Sequence, residues 1–244
     1  MSDETEWGKA FAALTQVLVS DFDLADLLHR LADASVQVCG AVGAGIVVAD
    51  KTGSLKDVAY SGEEIRRLER LQLATGEGPC VECFHLGRAV HESDLSYALD
   101  RWPRFVPQAA LQGIHSADAL PLRLRGRTVG ALNLFHAGLG PTGPDELRAV
   151  QALADLAMLG IVQHGDVAAT AASVEAQVRS ALAARSVIER AKGILAEHGD
   201  LDMDEAFGRL RRYADIRGIG ITQAAQALYA SPLDAGAVLG VSAS

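Results

Sequence analysis

The chain has 244 residues, 49% of them hydrophobic, and carries 22 lysines and arginines against 31 aspartates and glutamates, for a formal net charge of −9. That length exceeds the usual single domain and supplies apolar material for two cores, whereas no apolar run reaches the ~18 residues of a membrane helix and the acidic start Met1-Ser-Asp-Glu-Thr-Glu lacks the basic region of a secretory signal. Three cysteines, an odd number, argue against a disulfide framework, so a cytoplasmic protein is expected.

Apolar residues at three- and four-residue spacing run through Phe11, Leu14, Val17 and Leu18, then through Leu24, Leu27, Leu28, Leu31, Ala34 and Val38, predicting two opening helices. Residues 44–49 and 55–60 read as strands around a Lys51-Thr-Gly-Ser turn. After a helical middle, 116–124 and 128–135 read as strands of a hairpin turning at Arg125-Gly126-Arg127. A last helix starts near Pro144-Asp145-Glu146, with proline at a tolerated first-turn position. Helices, then hairpins, then a helix predict an α+β domain on an antiparallel sheet.

Within that order stand Gly76-Glu77-Gly78-Pro79-Cys80, Arg101-Trp102-Pro103-Arg104-Phe105, Ala119-Leu120-Pro121-Leu122 and Gly130-Ala131-Leu132-Asn133-Leu134. Together they resemble a GAF domain over about residues 8–165. The resemblance implies a sensor with a pocket for an unknown small-molecule ligand between sheet and helices; the cofactor is unknown. Cys80 and Cys83 form a C-x-x-C, which is either a pair of packing residues or a redox couple whose thiolate a helix N-terminus would favour. Cys39 and His85 could in principle join them as metal ligands, but one C-x-x-C is a weak zinc signal, so no metal is expected. Trp102 reads as an anchor for its loop rather than a ligand-stacking ring.

Residues 166–186 lead onward as a linker helix whose seam Val174, Val178, Ala181, Leu182, Ala184 and Ile188 suits either a coiled coil with a second copy or an intramolecular contact with the preceding domain. Over 187–230, three short apolar stripes follow: Val187, Ile188, Ala191, Ile194 and Leu195; Ala206, Phe207, Leu210 and Ala214; Ile221, Ala224, Ala225 and Leu228. Glycines at 199, 218 and 220 mark the breaks, Asp202 with Glu205 reads as a capping box, and Thr222 as the cap of the last helix. Helices this short need to pack into one bundle. Between Arg185 and Arg217 the charges balance, but Arg209, Arg211, Arg212 and Arg217 gather on the second helix and its exit. That grouping is either a solvated face or a basic surface for nucleic acid. The tail at 231–244 carries no motif.

The run Val187-Ile-Glu-Arg-Ala-Lys-Gly-Ile-Leu, with Asp204-Glu-Ala-Phe-Gly-Arg-Leu-Arg-Arg-Tyr and Ile221-Thr-Gln-Ala-Ala-Gln-Ala-Leu, resembles the ANTAR module of bacterial transcription antitermination regulators. The resemblance implies a homodimer and an RNA hairpin partner contacted by Arg190, Lys192, Arg211, Arg212, Tyr213 and Arg217, with no catalytic residue. Gly193 in the Ala-Lys-Gly triplet is expected where another helix or RNA comes close. A ligand or redox event in the sensor would alter the pairing or angle of the helices near 160–190. Two other classes stay open: a GAF-type free methionine-R-sulfoxide reductase using Cys80 and Cys83, and a DNA-binding regulator.

Overall fold

A computed structural model describes residues 3–19, 23–164, 171–231 and 235–240. Helices α1 (Asp3–Val19) and α2 (Leu24–Cys39) precede strands β1 (Gly43–Ala49) and β2 (Leu55–Tyr60). Helices α3 (Glu63–Thr75) and α4 (Pro79–Leu86), strand β3 (Val90–Glu92), a turn of 3-10 helix at Leu95–Ala98 and helix α5 (Phe105–Leu111) make up the middle. Strands β4 (Ser116–Leu124) and β5 (Arg127–His136) and helix α6 (Pro144–His164) complete the domain. The five strands form one antiparallel sheet in the order β2-β1-β5-β4-β3, so the α+β expectation holds. The β4–β5 turn places Arg125 and Gly126 at φ of 51° and 79°, the left-handed pair that matches the twist of a two-residue hairpin. The expected helical middle is interrupted by β3, which pairs with Ala117–Ala119 and is too short to show alternation in sequence.

Alternation along the strands divides two cores. Ala44, Ile46, Val48, Leu120, Leu122, Leu132 and Leu134 face a layer of α1, α2 and α6. Val47, Ala117, Ala119, Ala131 and Phe135 face the other way, toward Ile65 and Leu68 of α3, the cysteines of α4, and Trp102 and Phe105.

The C-terminal part comprises α7 (Ala171–Gly199), α8 (Met203–Arg217), α9 (Ile221–Ala230) and α10 (Ala235–Leu239). The three stripes meet in one core of Ile188, Ala191 and Leu195, Ala206, Leu210 and Ala214, and Ile221, Ala224, Ala225 and Leu228. Ala235 and Val238 of the tail join them, a contribution its composition did not announce. The left-handed residue after α7 is Asp200 at φ 49° rather than a glycine. The seam of α7 is used inside the chain: Ala181 and Leu182 pack into the core of α1, α2 and α6, and Ala184 and Ile188 into the bundle core, which Ala25 of α2 also enters. Of the two uses open to that seam, this is the intramolecular one; the side chains of Val174 and Val178 and residues 165–170 lie outside the described residues.

Candidate nucleic-acid interface

Helix ends in the bundle are set by side chains from two places. Asp202 accepts the amide of Glu205 at 2.7 Å, which is one half of the expected capping box. Thr222, the expected cap of α9, does not serve: the cap residue is Gly220, and the Oγ1 of Thr222 is buried without a hydrogen-bond partner. The acceptor comes instead from the N-terminal domain, where Asp23 Oδ2 takes the Thr222 amide at 3.0 Å while its Oδ1 caps α2 through the amides of Ala25 and Asp26. A Cβ at residue 220 would sit 3.0 Å from the Asp23 side chain, so glycine leaves room for this borrowed cap.

Four of the six residues expected to meet RNA lie outside the contact between the two parts. The guanidinium of Arg190 lies over the ring of Tyr229 at 5.3 Å, and that of Arg217 over Tyr213 at the same distance. Arg190, Arg217 and Tyr229 are exposed, and Tyr213 and Arg212 are half-buried. Gly193 is exposed too, and a Cβ there would meet nothing within 4 Å, so no other helix explains it.

Lys192 and Arg211 are placed differently. Lys192 is 1% exposed, against the expectation of a surface cation. Its Nζ donates to Glu63 Oε1 at 2.6 Å, Tyr60 Oη at 3.0 Å and Glu189 Oε1 at 3.2 Å, using all three donors. Arg66 Nη1 closes the group on Glu189 Oε2 at 2.5 Å and Glu63 Oε2 at 3.1 Å, and Tyr60 donates to Glu189. Burial pushes the Glu63 carboxyl up, but the hydrogen bonds and charges of Lys192 and Arg66 outweigh it and hold Glu63 below its ordinary value. Two cations thus face two carboxylates, with one partner of each sign from either part of the chain.

Arg211 reaches α2, donating from Nη1 to Asp33 Oδ2 at 2.5 Å, with its Nε 3.7 Å from Asp26 Oδ1. Arg30 returns the contact to Asp215 of α8 at 2.8 Å, and Arg185 of α7 pairs with Asp57 of β2 at 2.6 Å. His29 lies between the rings of Tyr60 and Phe207, and burial lowers its pKa, favouring the neutral ring. Beside this contact a cleft of about 660 Å³ opens between Gly62–Arg67 and Gln112–Ile114 on one side and Leu201–Asp204 on the other.

The space expected to hold a ligand, between sheet and α3/α4, is occupied by polar side chains. Asn133 Nδ2 donates to Glu69 Oε1 at 2.6 Å, Gln72 Nε2 donates to Glu69 Oε2 at 3.3 Å, and the Cys80 amide donates to Gln72 Oε1 at 3.0 Å. Glu69 lies over Gly45, where a Cβ would come within 2.3 Å of its carboxyl. Burial, opposed by hydrogen bonds from Asn133 and Cys80, raises the Glu69 pKa to about 8. The redox expectation required a lowered thiol pKa at the start of α4. Burial raises Cys80 well above its ordinary value, with the Glu69 charge adding to it, and raises Cys83 to about 12 despite Arg123. Cys39 packs on the other face of the sheet, so it does not join them. Trp102 is buried against Phe105 with Arg101 over its ring at 4.1 Å, the anchoring role expected of it.

A family model described as GAF domain matches residues 23–162, more than half of the 244 residues. The chain belongs to the GAF family. A second model, ANTAR domain, matches residues 176–228, so the architecture is a GAF domain followed by an ANTAR domain. Among solved structures, the GAF domain of a Coxiella burnetii phosphoenolpyruvate-protein phosphotransferase is similar at 16% identity and a TM-score of 0.52, over 65% of this chain and 94% of that one. The GAF domain of the Acinetobacter phosphoenolpyruvate-protein phosphotransferase is similar at 14% identity and a TM-score of 0.50, over 64% of this chain and 93% of that one. A free methionine-R-sulfoxide reductase from Neisseria meningitidis is similar at 17% identity and a TM-score of 0.48, over 63% of this chain and 87% of that one. Identities this low show the fold alone. No curated protein matches the chain. Among the described residues, no helix is long and apolar enough to cross a membrane. The contact built on Asp23, Asp33, Glu63, Lys192 and Arg211 therefore joins the GAF domain to the ANTAR domain.

Proposed function

We propose that this chain is a signal-dependent regulator of transcription antitermination whose ANTAR domain binds and stabilises RNA hairpins in the cytoplasm. The observation that carries the reading is the pair of arginine–tyrosine stacks, Arg190 on Tyr229 and Arg217 on Tyr213, at the surface of the ANTAR domain. Sequence-specific RNA binding targets unpaired loop bases, which stack on aromatic rings and guanidinium planes, while the same arginines and Arg212 attract phosphate. Binding alone performs the regulation, because a held hairpin excludes a competing terminator. The GAF domain takes a small-molecule signal, and the chain acts as a homodimer.

The test is retention of synthetic RNA stem-loops against matched duplex DNA at one fixed salt concentration, with mass measured by light scattering. Stem-loops are retained selectively by a dimer, and Arg190→Ala with Arg217→Ala lowers affinity about tenfold or more, since stacking is worth about 1–3 kcal/mol per base. Equal or stronger retention of duplex DNA would replace RNA by DNA as the partner, and unchanged affinity in the double variant would remove the stacks from the interface.

A further inference from the structure

We infer that the GAF domain occupies part of the RNA-binding face by offering carboxylates where phosphates would sit, so that GAF contact and hairpin binding are mutually exclusive at Arg211 and Lys192. The inference rests on the hairpin reading and adds its regulation. Asp26, Arg30 and Asp33 recur along one side of α2, and Asp23 precedes them. Each of the four touches α8 or α9: Asp33 and Asp26 through Arg211, Arg30 through Asp215, and Asp23 through the Thr222 amide. From α3, Glu63 Oε1 takes Lys192, and its own amide meets the Asp204 carboxylate at 3.1 Å. An arginine fork fits the two oxygens of a carboxylate or of a phosphate alike. In the closed arrangement Arg190 and Arg217 are exposed and Arg212 is half-buried, while Arg211 and Lys192 are spent on aspartate and glutamate. Swinging the ANTAR domain off α2 and α3 frees Arg211 and strips Lys192 of Glu63 and Tyr60, leaving it only Glu189 of its own helix.

The measurement is the affinity of the full chain for a pool of synthetic RNA stem-loops over a salt series, comparing wild type with Asp33→Asn and Arg30→Ala. Asp33 is 38% exposed and Arg30 is 27% exposed, so both variants are expected to fold, which thermal melts check. The two changes move net charge in opposite directions: Asp33→Asn alone would favour RNA by bulk electrostatics, whereas Arg30→Ala would oppose it. Both are expected to tighten binding about tenfold and to steepen the dependence of log affinity on log salt by about 0.7–0.9 for each additional phosphate neutralised. Asp145→Asn on α6, which carries the same charge change as Asp33→Asn at an exposed position whose ion pair is with Arg148 of its own helix, is expected to do neither. Binding by Asp33→Asn and Arg30→Ala that matches wild type, or tightening by Asp33→Asn that Asp145→Asn reproduces while Arg30→Ala weakens, would overturn the inference and leave the hairpin reading standing. Retention of no stem-loop by wild type or any variant would overturn the hairpin reading and this inference with it.

Discussion

Lys192 and Glu69 are both excluded from water, yet the two domains treat them in opposite ways. Lys192, at the GAF–ANTAR contact, meets two carboxylates and a tyrosine hydroxyl. Glu69, inside the GAF core, meets the amide groups of Asn133 and Gln72 and, among the described residues, no cation, and its pKa rises to about 8. Desolvation penalises a charge in both places; an opposite charge within hydrogen-bonding distance offsets it in one and is missing in the other. The contact between domains is therefore held by ions and the sensor core by a neutral acid. Only the first is sensitive to whatever competes for a charge.

Breaking the paired site has the largest expected effect. Lys192→Met leaves Glu63 and Glu189 sharing Arg66 alone in a half-buried setting, and loss of one partner of a buried pair costs about 3–5 kcal/mol. The measurement is the thermal midpoint of the full chain at pH 7 and at pH 4. Glu63 has a lowered folded pKa, so its contribution is present above its unfolded value and fades as pH falls through the folded one. Part of the penalty in Lys192→Met is accordingly expected to disappear at the lower pH, which lies below the unfolded value of 4.5. A midpoint that matches wild type at both values would mean the four-group network contributes nothing.

Glu69 gives the opposite sign. Its ordinary value of 4.5 is raised to about 8 in the fold, so between those values the unfolded chain is ionised and the folded one protonated. Stability falls as pH rises across that window, by on the order of 3 kcal/mol on reaching pH 7. Glu69→Gln cannot ionise, so its stability relative to wild type improves steadily from pH 5 to pH 8, whatever constant offset the new amide introduces. Parallel pH profiles in chemical denaturation would show that Glu69 is ionised in place.

Much of this architecture was written in periodicity. Two apolar runs around the Arg125-Gly126 turn marked the β4–β5 hairpin, and the three C-terminal stripes, each with one buried face, marked the bundle core. The cations of the bundle were legible as residues but not as positions. Lys192 follows Ile188 by four and precedes Leu195 by three, which sets it on the buried stripe itself; that spacing was the available signal that it would not face solvent. The stripe of Asp26, Arg30 and Asp33 on α2 was equally visible as polar, but its partners on α8 stand 178 and 185 positions away. Long-range complementarity of charge leaves no periodic trace in either segment, and β3, three residues long, leaves none either.

Asp23 lies between the two extremes of that comparison, since backbone amides rather than a cation satisfy it, and it has the smallest expected effect. Its two oxygens are divided: Oδ1 accepts from Ala25 and Asp26 at the start of α2, and Oδ2 from Thr222 at the start of α9. A helix cap is worth about 1 kcal/mol. Asp23→Ala removes both caps, with a loss of about 2 kcal/mol if the two act independently. Asn offers a single acceptor oxygen, so Asp23→Asn keeps one cap and loses the other. Amide exchange reads the two ends separately: alanine is expected to deprotect Ala25 and Thr222 together, and asparagine to deprotect one of them. Retained protection at Thr222 in Asp23→Ala would mean that the start of α9 does not depend on the GAF domain, and the contact between the domains would then rest on the ion pairs alone.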